Sequence, residues 1–468
     1  MTEQVRKDLK RQILRGILQP GIRLPSTRRL AADIGVCRSV VVEAYEQLIA
    51  GGYLDAVPGS GTRVADVADR TAVASNVVDI FPDGRSPRFR WDLRTGIADV
   101  ANFPRQEWLS CYQRTLQLAG PDALCYPPVT GVLPLRQGLT SYLGRVRGVR
   151  TDPAHIMVTA GFAQGLALLC QSLLGLGIDE LGVEDPSNRR QRDFIADTGM
   201  RPQAVPIDQH GLDVSALAKT GVRAVLVTPA HQFPTGVVMS TERRAALLQW
   251  ARDVDGWIIE DDYDSELWYD RRDRRPSLQG RDPERVIYTS STSKVLVPGL
   301  RLGWVVTPPH LFNRLRETRT RHDMGGDSLT QLTFAEFLGS GQFDRHLRRS
   351  RSRFQPRWEA VNRVVRQHLR DVEVTGSAAG LHAYLRFPPG IDEAALVTGA
   401  LRRSVLVHGG QRYRFSPQPG APALVVGFAA LPATAVGEAT RILADVYADL
   451  RRSRPTGVLF GQVRGRAS

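Results

Sequence analysis

A single lysine marks the part of this chain with the clearest potential for chemistry. The stretch 286–304 begins as an apolar run typical of a buried strand, continues into the hydroxyl-rich run 289–293, and then presents Lys294. Only four lysines occur in the 468 residues, and nearly all other positive charge is arginine. An arginine cannot lose its proton for imine chemistry, whereas a lysine can. The position therefore favours a covalent or phosphate-binding role for Lys294 over that of an ordinary surface residue.

The elements that must position this lysine form a repeating pattern. From residue 91 onward, apolar runs of β type alternate with helical stretches, which predicts an α/β domain around a mostly parallel sheet. In such sheets, ligands bind beyond the carboxyl ends of the strands. The segments that follow the predicted strands are therefore the candidates for a site, and they are 160–164, 184–186, 229–236, 260–263 and 291–294.

Two of these segments, and one residue beyond the segment 291–294, offer groups that suit a phosphorylated ligand. Gly161, Phe162 and Ala163 lead into an apolar helix, whose first N–H groups and dipole favour a phosphate. Asp261 ends a buried strand, where an ionised carboxylate needs a cationic partner; a structural salt bridge is the commoner explanation. Arg301 follows Lys294 by seven residues and could contact a phosphate in a bidentate manner.

The first 65 residues predict a separate unit. Apolar residues spaced by four predict an amphipathic helix over 2–16, and they are Val5, Leu9, Ile13 and Ile17. A second helix runs to Ile34 with Ser26 as its N-cap, and a third runs from Ser39 to about Ala50. A hairpin follows, with strands 53–57 and 62–65 around the turn 58–61. This order predicts a winged helix-turn-helix, with a small dimerisation or interaction domain as the alternative.

The N-terminal segment resembles the winged helix-turn-helix of GntR-type bacterial repressors in its LPSTRRLA, VCRSVVVEAYEQL and GYL-to-GSGT motifs. The resemblance implies that the third helix enters the major groove of DNA while the wing touches phosphates or the minor groove. The residues implied in DNA binding are Ser26, Arg28, Arg29, Arg38, Ser39, Val40, Tyr45, Gly59, Ser60, Gly61, Thr62 and Arg63. Charge favours DNA only weakly, because residues 1–70 carry 11 Lys+Arg against 8 Asp+Glu, a net of +3.

The rest of the chain resembles the fold-type I aminotransferases, which bind pyridoxal 5′-phosphate (PLP), and the two parts together resemble the MocR/GabR family of transcriptional regulators. The motifs are CYPPVTGVLPLRQGLTSYL at 125–143, HQFPTG at 231–236, IIEDDYDSE at 258–266 and TSSTSKVLVPGLRLGW at 289–304. The resemblance implies that Lys294 holds PLP as an internal aldimine, with Asp261 at the ring nitrogen and Tyr263 at the ring hydroxyl. The remaining implied cofactor residues are Arg301, Ser291, Ser293, Gly161, Phe162, Ala163, Asn188, His231 and, for the neighbouring subunit's phosphate, Tyr126.

Three departures from the aminotransferase pattern restrain an enzymatic interpretation. His231 replaces the usual asparagine, Asn188 occupies or adjoins the place of a ring-stacking aromatic residue, and Ala430 stands where an arginine commonly grips a substrate carboxylate. Without that clamp an amino acid is held weakly, unless another arginine substitutes. The candidates are Arg189, Arg190, Arg412 and Arg414, although each is more simply a solvated charge.

Domain boundaries follow from composition. We expect a DNA-binding domain at 1–67, a linker without periodicity at 68–90, an aminotransferase-like domain at 91–453 with a small C-terminal α+β subdomain, and a basic tail at 454–468. The four cysteines lack metal-ligand spacing, which favours reduced thiols in a cytoplasm and no metal site. A charged N-terminus and the lack of a long apolar run predict neither a signal peptide nor a membrane span.

The resemblance thus implies a homodimeric regulator that binds a double-stranded DNA operator and senses PLP or a small amine through the aldimine at Lys294, and we expect it in the cytoplasm. The net charge of +14 admits an anionic partner, although a genomic preference for arginine explains it more simply. A working aminotransferase with an accessory DNA-binding module is one alternative. A DNA-binding scaffold that has lost its cofactor is another.

Overall fold

The computed structural model describes residues 1–57, 61–66, 89–270, 275–415 and 420–452. The chain divides into two units, Met1–Arg88 and Phe89–Ser468. The predicted tail at 454–468, nearly all of the predicted linker and the wing residues Gly59 and Ser60 lie outside the described residues.

The N-terminal unit contains three helices and a hairpin in the predicted order. Ser26 caps the second helix, because its hydroxyl accepts a hydrogen bond from the Arg29 N–H at 3.3 Å. The first helix is shorter than predicted: Gly16 adopts a φ of 70° just beyond its end, and Ile17 is 63% exposed. Ile17 therefore does not belong to the buried stripe. The bounds are α1 Thr2–Leu14, α2 Thr27–Asp33, α3 Arg38–Ala50, β1 Leu54–Val57 and β2 Gly61–Val64.

A small core holds these elements together. The strands β1 and β2 pair antiparallel, with Leu54 opposite Val64, and both side chains are buried. They join Ile13 of α1 and Val41 and Leu48 of α3 in one apolar cluster. The three helices and the hairpin thus bury a common face, as a winged helix-turn-helix requires.

The C-terminal unit is built on an eight-stranded sheet. Its strand order is β4-β11-β10-β9-β8-β5-β6-β7, in which the pairs from β10 to β6 are parallel while β11 and β7 run antiparallel to their neighbours. The bounds are β3 Trp91–Asp92, which lies outside this sheet, β4 Ile156–Thr159, β5 Glu180–Asp185, β6 Arg201–Asp208, β7 Gly211–Leu212, β8 Ala224–Val227, β9 Trp257–Asp261, β10 Val286–Ser291 and β11 Gly303–Val306.

Both faces of the sheet are covered, which explains the continuous apolar runs in the sequence. Successive side chains of a strand point to opposite faces, so Ile258 and Ile259 of β9 enter different core clusters. The strand β6 was not among the predicted strands, because Pro202 and Pro206 interrupt its pattern. The helices around the sheet are α4 Arg105–Leu118, α5 Leu133–Arg147, α6 Phe162–Leu174, α7 Arg189–Asp197, α8 Val214–Thr220, α9 Thr241–Asp253, α10 Pro309–His322 and α11 Ser328–Gly339.

A smaller α+β layer completes the unit. Its four-stranded sheet has the order β12-β13-β16-β15, and a separate parallel pair joins β14 to β3. The bounds are α12 Gln342–His368, β12 Glu373–Thr375, β13 His382–Arg386, α13 Glu393–Arg402, β14 Val405–Leu406, β15 His408–Gly409, β16 Ala423–Gly427 and α14 Ala433–Arg452. The predicted fold class is confirmed. None of the helices in the described ranges combines the length and the apolar composition that crossing a bilayer requires.

A buried ion pair lies directly beneath the end of β9. Arg147 Nε donates to Asp262 Oδ2 at 2.7 Å, and each side chain is 1% exposed. Tyr288 adds a second hydrogen bond to the same carboxylate oxygen, also at 2.7 Å. The nearby Asp262 carboxylate raises the pKa of Arg147, although burial by itself lowers it. The pair fixes the residue next to Asp261 and so the end of the strand.

Removing one partner of this pair should destabilise the protein strongly. We expect Arg147→Met to lower the free energy of unfolding by about 3–5 kcal/mol, since it leaves the Asp262 charge buried without compensation. The control is Asp449→Asn, which removes an exposed partner of Arg403 and should change the free energy of unfolding far less, because water screens an exposed pair. Denaturant unfolding measures both variants. Equal losses would contradict the importance of the buried pair.

Candidate functional site

Residues far apart in the sequence converge at one edge of the large sheet. The strands β9 and β10 are parallel, so that Asp261 and Ser291 end at the same edge, with Lys294 just beyond. The strand β11 starts at this edge, where Gly303 pairs with both Ser291 and Thr159. The edge thus gathers Lys294, the Asp261 carboxylate and the turn after β4, as expected for a parallel sheet.

Lys294 is half-buried and points back toward the start of the C-terminal unit. Its Nζ donates a hydrogen bond to the Gly96 carbonyl oxygen at 2.9 Å. Burial lowers the pKa of Lys294, and the carboxylates of Asp264 and Asp261 oppose this effect without cancelling it. A lowered pKa increases the fraction of neutral amine, which is the nucleophilic form. No sequence signal identified Gly96, because its contribution is a backbone carbonyl.

Asp261 is a buried carboxylate without a cationic partner among the described residues. Its side chain is 8% exposed, and a hydrogen bond from Gln191 is the contact that favours its ionised form. Burial, together with the charges of Asp262 and Asp264, raises the pKa of Asp261 well above its usual range. A protonated heterocyclic nitrogen would supply the missing charge. The donor set at this position therefore fits the ring nitrogen of PLP.

A second part of the site suits an anion. Gly161, with a φ of 83°, precedes α6, and the Arg301 guanidinium lies so close that a Cβ on Gly161 would meet its terminal nitrogens at 3.2 Å. Arg301 Nη2 donates to the Ala160 carbonyl oxygen at 2.6 Å. The Ser293 N–H approaches Ser291 Oγ at 3.4 Å on the facing loop. The structure thus brings a helix N-terminus, a guanidinium and hydroxyls together, a combination that binds phosphate.

The side chains of the predicted Gly161 loop differ in what they can do. Phe162 is partly buried and packs against the core on one face of the sheet, so only its backbone N–H remains for a ligand. Ala163 is exposed in the first turn of α6. Their role at an anion site is therefore limited to backbone donors.

His231 and Tyr263, both predicted from the resemblance, lie together. His231 Nδ1 is 3.2 Å from Tyr263 Oη and 2.9 Å from Asp264 Oδ2. His382, from β13, packs its ring 5.2 Å from the His231 ring. Burial lowers the pKa of His382 to about 3. Asp264 and His382 were missed: Asp264 stands inside the IIEDDYDSE motif, whereas no local signal distinguishes His382.

Two other predicted cofactor residues make no described contact with this group. Asn188 is the exposed N-cap of α7, where its side-chain oxygen accepts from the Arg190 N–H at 3.1 Å. Tyr126 is 82% exposed. Within one chain, Asn188 thus caps α7, and the Tyr126 side chain is accessible to another molecule.

The predicted place of the missing carboxylate clamp needs correction. Ala430 lies exposed in a turn after β16, not among the buried residues of that strand. The β16 residues that share a buried cluster with Tyr413 and the adjoining Phe233 are Ala423 and Val425. Ala430 lies beyond Gly427, the last residue of this strand, so the alternation of side chains along β16 does not determine its position. The described β16 itself still contains no arginine.

Positive charge is available from a different element. Tyr413 Oη lies 2.8 Å from Thr95 Oγ1 and 2.9 Å from His408 Nδ1. The pKa of His408 falls to about 4, first because of burial and then because of Arg412, with smaller contributions from Arg94 and Arg190. Two of the four candidate arginines, Arg190 and Arg412, thus act electrostatically on this polar group.

The helix-turn-helix surface presents most of the predicted DNA contacts. Arg28, Arg29, Arg38 and Ser39 are exposed, and Val40 is half-buried. Tyr45 is a correction: it is 3% exposed, packs in the core, and donates its hydroxyl to the Pro25 carbonyl oxygen at 2.9 Å. Its spacing from Val41 and Leu48 places it on the buried stripe of α3.

The wing is described only in part. Arg63 Nη1 donates to the Gly21 carbonyl oxygen at 3.0 Å, which fixes the arginine to the loop before α2. Gly61 has a φ of 89° and lies against the Arg23 side chain, and Thr62 is half-buried beside it. Arg23 was not predicted, although it packs where the wing meets the helices.

Comparison with known proteins accounts for both units. Residues 1–64 match the model of the bacterial regulatory proteins of the gntR family, and residues 93–434 match aminotransferase class I and II. The chain is 30% identical to the probable rhizopine catabolism regulatory protein MocR of Rhizobium meliloti, over 97% of this chain and 95% of that protein. It is 33% identical to the pyridoxine biosynthesis transcriptional regulator PdxR of Corynebacterium glutamicum, over 82% of each.

Solved structures resemble the C-terminal unit. A multiple substrate aminotransferase from Thermococcus profundus matches with a TM-score of 0.71 and 24% identity, over 81% of this chain and 96% of that one. The α-aminoadipate aminotransferase LysN from Thermus thermophilus matches with a TM-score of 0.68 and 26% identity, over 77% and 92%. The chain belongs to the MocR-type family of transcriptional regulators, which join a GntR-type helix-turn-helix domain to an aminotransferase-like domain.

Proposed function

We propose that this regulator binds PLP at Lys294 and that PLP itself, or a small amine that reacts with it, changes how the protein binds its operator. The observation that carries the proposal is Asp261, a buried carboxylate without a described cation at the same sheet edge as Lys294. PLP supplies an aldehyde that bonds reversibly to primary amines and a ring that withdraws electrons when its nitrogen is protonated.

The residues of the site divide the work of holding this cofactor. Lys294 would hold the cofactor through its amine, and the Asp261 carboxylate would keep the ring nitrogen protonated. Arg301 and the N–H groups after Gly161 bind the phosphate, with help from the hydroxyls of Ser291 and Ser293. Tyr263 and His231 meet the ring hydroxyl. The convergence of these side chains at one sheet edge supports the assignment.

A homodimer would complete the site. Large apolar side chains between residues 100 and 133 are 46–82% exposed in the single chain, and they are Val100, Leu109, Leu116, Leu118, Leu124, Tyr126 and Leu133. A surface of this kind is typical of a protein interface. We propose that a second copy covers it and that Tyr126 reaches the phosphate of the partner's cofactor.

The effector is either PLP or an amine of modest size. The name of the relative PdxR, a regulator of pyridoxine biosynthesis, supports PLP. The cations near His408, Arg412 and Arg190 among them, instead support an amine that carries an anionic group. To act as a signal, the ligand must bind one arrangement of the DNA-binding units better than another.

An active aminotransferase with an accessory DNA-binding module is the second candidate, and the specific observation in its favour is the match of residues 93–434 to aminotransferase class I and II. Sustained turnover separates the two functions. We expect single half-reactions with amino donors and no sustained transfer to keto acids, measured by product formation over many equivalents of protein. Continued accumulation of product would establish the enzyme instead.

Cofactor attachment is tested by spectroscopy. Protein incubated with PLP and freed of excess should show a visible absorption band that Lys294→Ala lacks, because the variant has no amine at the site. Lys219→Ala is the matched control, since it removes an exposed lysine on α8, and it should retain the band. The proposal fails if Lys294→Ala keeps the same band or if the unaltered protein never shows one.

DNA recognition is tested at the start of α3. Arg38 is exposed there, and we expect Arg38→Ala to weaken binding to the preferred duplex by about 1–3 kcal/mol. The duplex would be selected by the protein from random DNA, and affinity measured by fluorescence anisotropy at fixed salt. Arg223→Ala, which removes an exposed arginine paired with Asp255, serves as control and should bind normally. Equal affinities for both variants would disprove the role of Arg38.

A further inference from the structure

The long helix α12 presents a basic surface to solvent. One side of the helix is buried in the core of the C-terminal unit, where Phe354, Val361 and Val365 contribute to the main apolar cluster. The opposite side carries five exposed arginines, which we call the arginine face, and they are Arg345, Arg348, Arg363, Arg366 and, just beyond the helix end, Arg370. The apolar side of α12 is thus already used in folding, whereas its basic side has no such task.

Helix geometry aligns these arginines along one strip. Arg363 follows Arg345 by 18 residues, and Arg366 follows Arg348 by the same number. Because an α-helix has 3.6 residues per turn, 18 residues make five full turns, and the two members of each pair project in the same direction. At 1.5 Å per residue, the strip from Arg345 to Arg366 is about 32 Å long.

The charges of the arginine face are not neutralised within the chain. Arg345 donates to uncharged acceptors, the Gln342 Oε1 at 3.2 Å and the Ser340 carbonyl oxygen at 3.1 Å. In the part of the chain that the structure describes, no acid forms an ion pair with any of the five arginines. Arg349, which is also exposed on α12, differs from them because it pairs with Glu107 at 2.9 Å.

Neighbouring acids do not offset this surface. Glu359 is the acid that lies among the exposed residues of the strip, where it accepts a hydrogen bond from Gln355 Nε2 at 2.9 Å. The helix α14 packs beside α12 and adds the exposed Arg441 and the exposed Asp445, whose charges cancel. Five arginines against one glutamate leave the arginine face with a net charge of +4.

The composition of the strip indicates which kind of anionic partner it fits. The exposed residues between the arginines are Ser352, Gln355, Pro356, Glu359 and Gln367. A helix that lies on a membrane inserts Trp, Phe or Leu into the lipid, and a protein interface is anchored by large apolar or aromatic side chains. The strip offers neither. Duplex DNA is different, because arginines bind its phosphate backbone through charge and hydrogen bonds alone.

We propose that the arginine face of α12 binds the phosphate backbone of the DNA that flanks the operator, without reading its base sequence. The GntR-type domain brings the protein to a duplex, and each phosphate that an arginine neutralises releases counterions and strengthens binding. The length of the strip is close to one turn of a duplex, about 34–36 Å. The inference goes beyond the proposed function, since it does not depend on any ligand at Lys294.

The test compares two duplexes, each bound by the full chain without added PLP. One duplex is the operator that the protein selects from random DNA, and the other extends this operator by about two helical turns on each side. Fluorescence anisotropy over a series of salt concentrations gives the affinity and its salt dependence. We expect tighter binding and a steeper salt dependence for the extended duplex, because contacts outside the operator release additional counterions.

A triple variant removes one end of the arginine face, and it combines Arg363→Gln, Arg366→Gln and Arg370→Gln. We expect the slope of log K against log salt on the extended duplex to become shallower by about 2–3, since each lost phosphate contact removes about one. The affinity for the operator alone should not change. The three side chains are exposed, so the variant should fold normally.

A matched control removes the same charge elsewhere on the C-terminal unit. It combines Arg201→Gln, Arg223→Gln and Arg386→Gln, which replace exposed arginines that each pair with an acid, and it should keep the steeper slope. A double variant at the other end of the arginine face, Arg345→Gln with Arg348→Gln, should reduce the slope by about 1–2.

The inference is overturned if the extended duplex gives the unaltered protein no gain in affinity, or if the triple variant keeps that gain. An equal loss in the matched control would assign the effect to net charge, and an equal loss on the operator alone would assign it to the operator complex; either result also overturns the inference. Vesicles that contain phosphatidylserine test the lipid alternative: a triple variant that loses vesicle binding and keeps its DNA affinity would reveal a membrane surface instead. Arg38→Ala should weaken both duplexes alike, so a failure of operator recognition is distinguishable from a failure of this inference.

Discussion

The common direction of the central strands is the constraint on which the rest of this structure depends. From β10 to β6 the strands run parallel. The strand β4 has the same direction, because β11, which lies between β4 and β10, is antiparallel to both. Their carboxyl ends therefore meet at one edge. The consequence is that residues as distant in sequence as Gly161 and Lys294 are held within one site by a rigid element, not by flexible loops.

This edge also concentrates buried acids, which is costly unless each has a partner. Asp262 is paired with Arg147, and Glu260 accepts hydrogen bonds from the Ser277 hydroxyl and two backbone N–H groups. Asp264 has His231 and Tyr263. Of the acids from Glu260 to Asp264, Asp261 alone has a hydrogen bond from a neutral side-chain amide, that of Gln191, as the contact that favours its charge. The contrast between three carboxylates with a described ionic or hydrogen-bonding partner and one without a described cation is the physical basis for a ligand at this position.

Much of the fold and part of the site could be predicted from the sequence. Apolar runs and the segments after them located Asp261, Arg301 and Lys294, because both strand burial and the position of ligands follow from local patterns. Tyr45 was predictable as a core residue from its spacing on α3, although the resemblance had suggested a DNA contact. Local patterns could not identify the roles of Gly96 or His382, which depend on tertiary packing. Which β16 side chains enter the cluster around Tyr413, Val425 among them, depends on how β16 pairs with β13. That pairing could not be predicted from the local pattern.

The hydrogen bond from Lys294 to Gly96 has a mechanical consequence. Gly96 stands eight residues after Arg88, where the first unit ends, and four after β3, which is paired with β14. A chemical group that engages the Lys294 nitrogen competes with this carbonyl for its donors. Loss of the bond removes one restraint on the segment that follows β3, while the β3–β14 pairing remains. Occupancy of the lysine and the anchoring of this segment are thus linked through a single backbone atom.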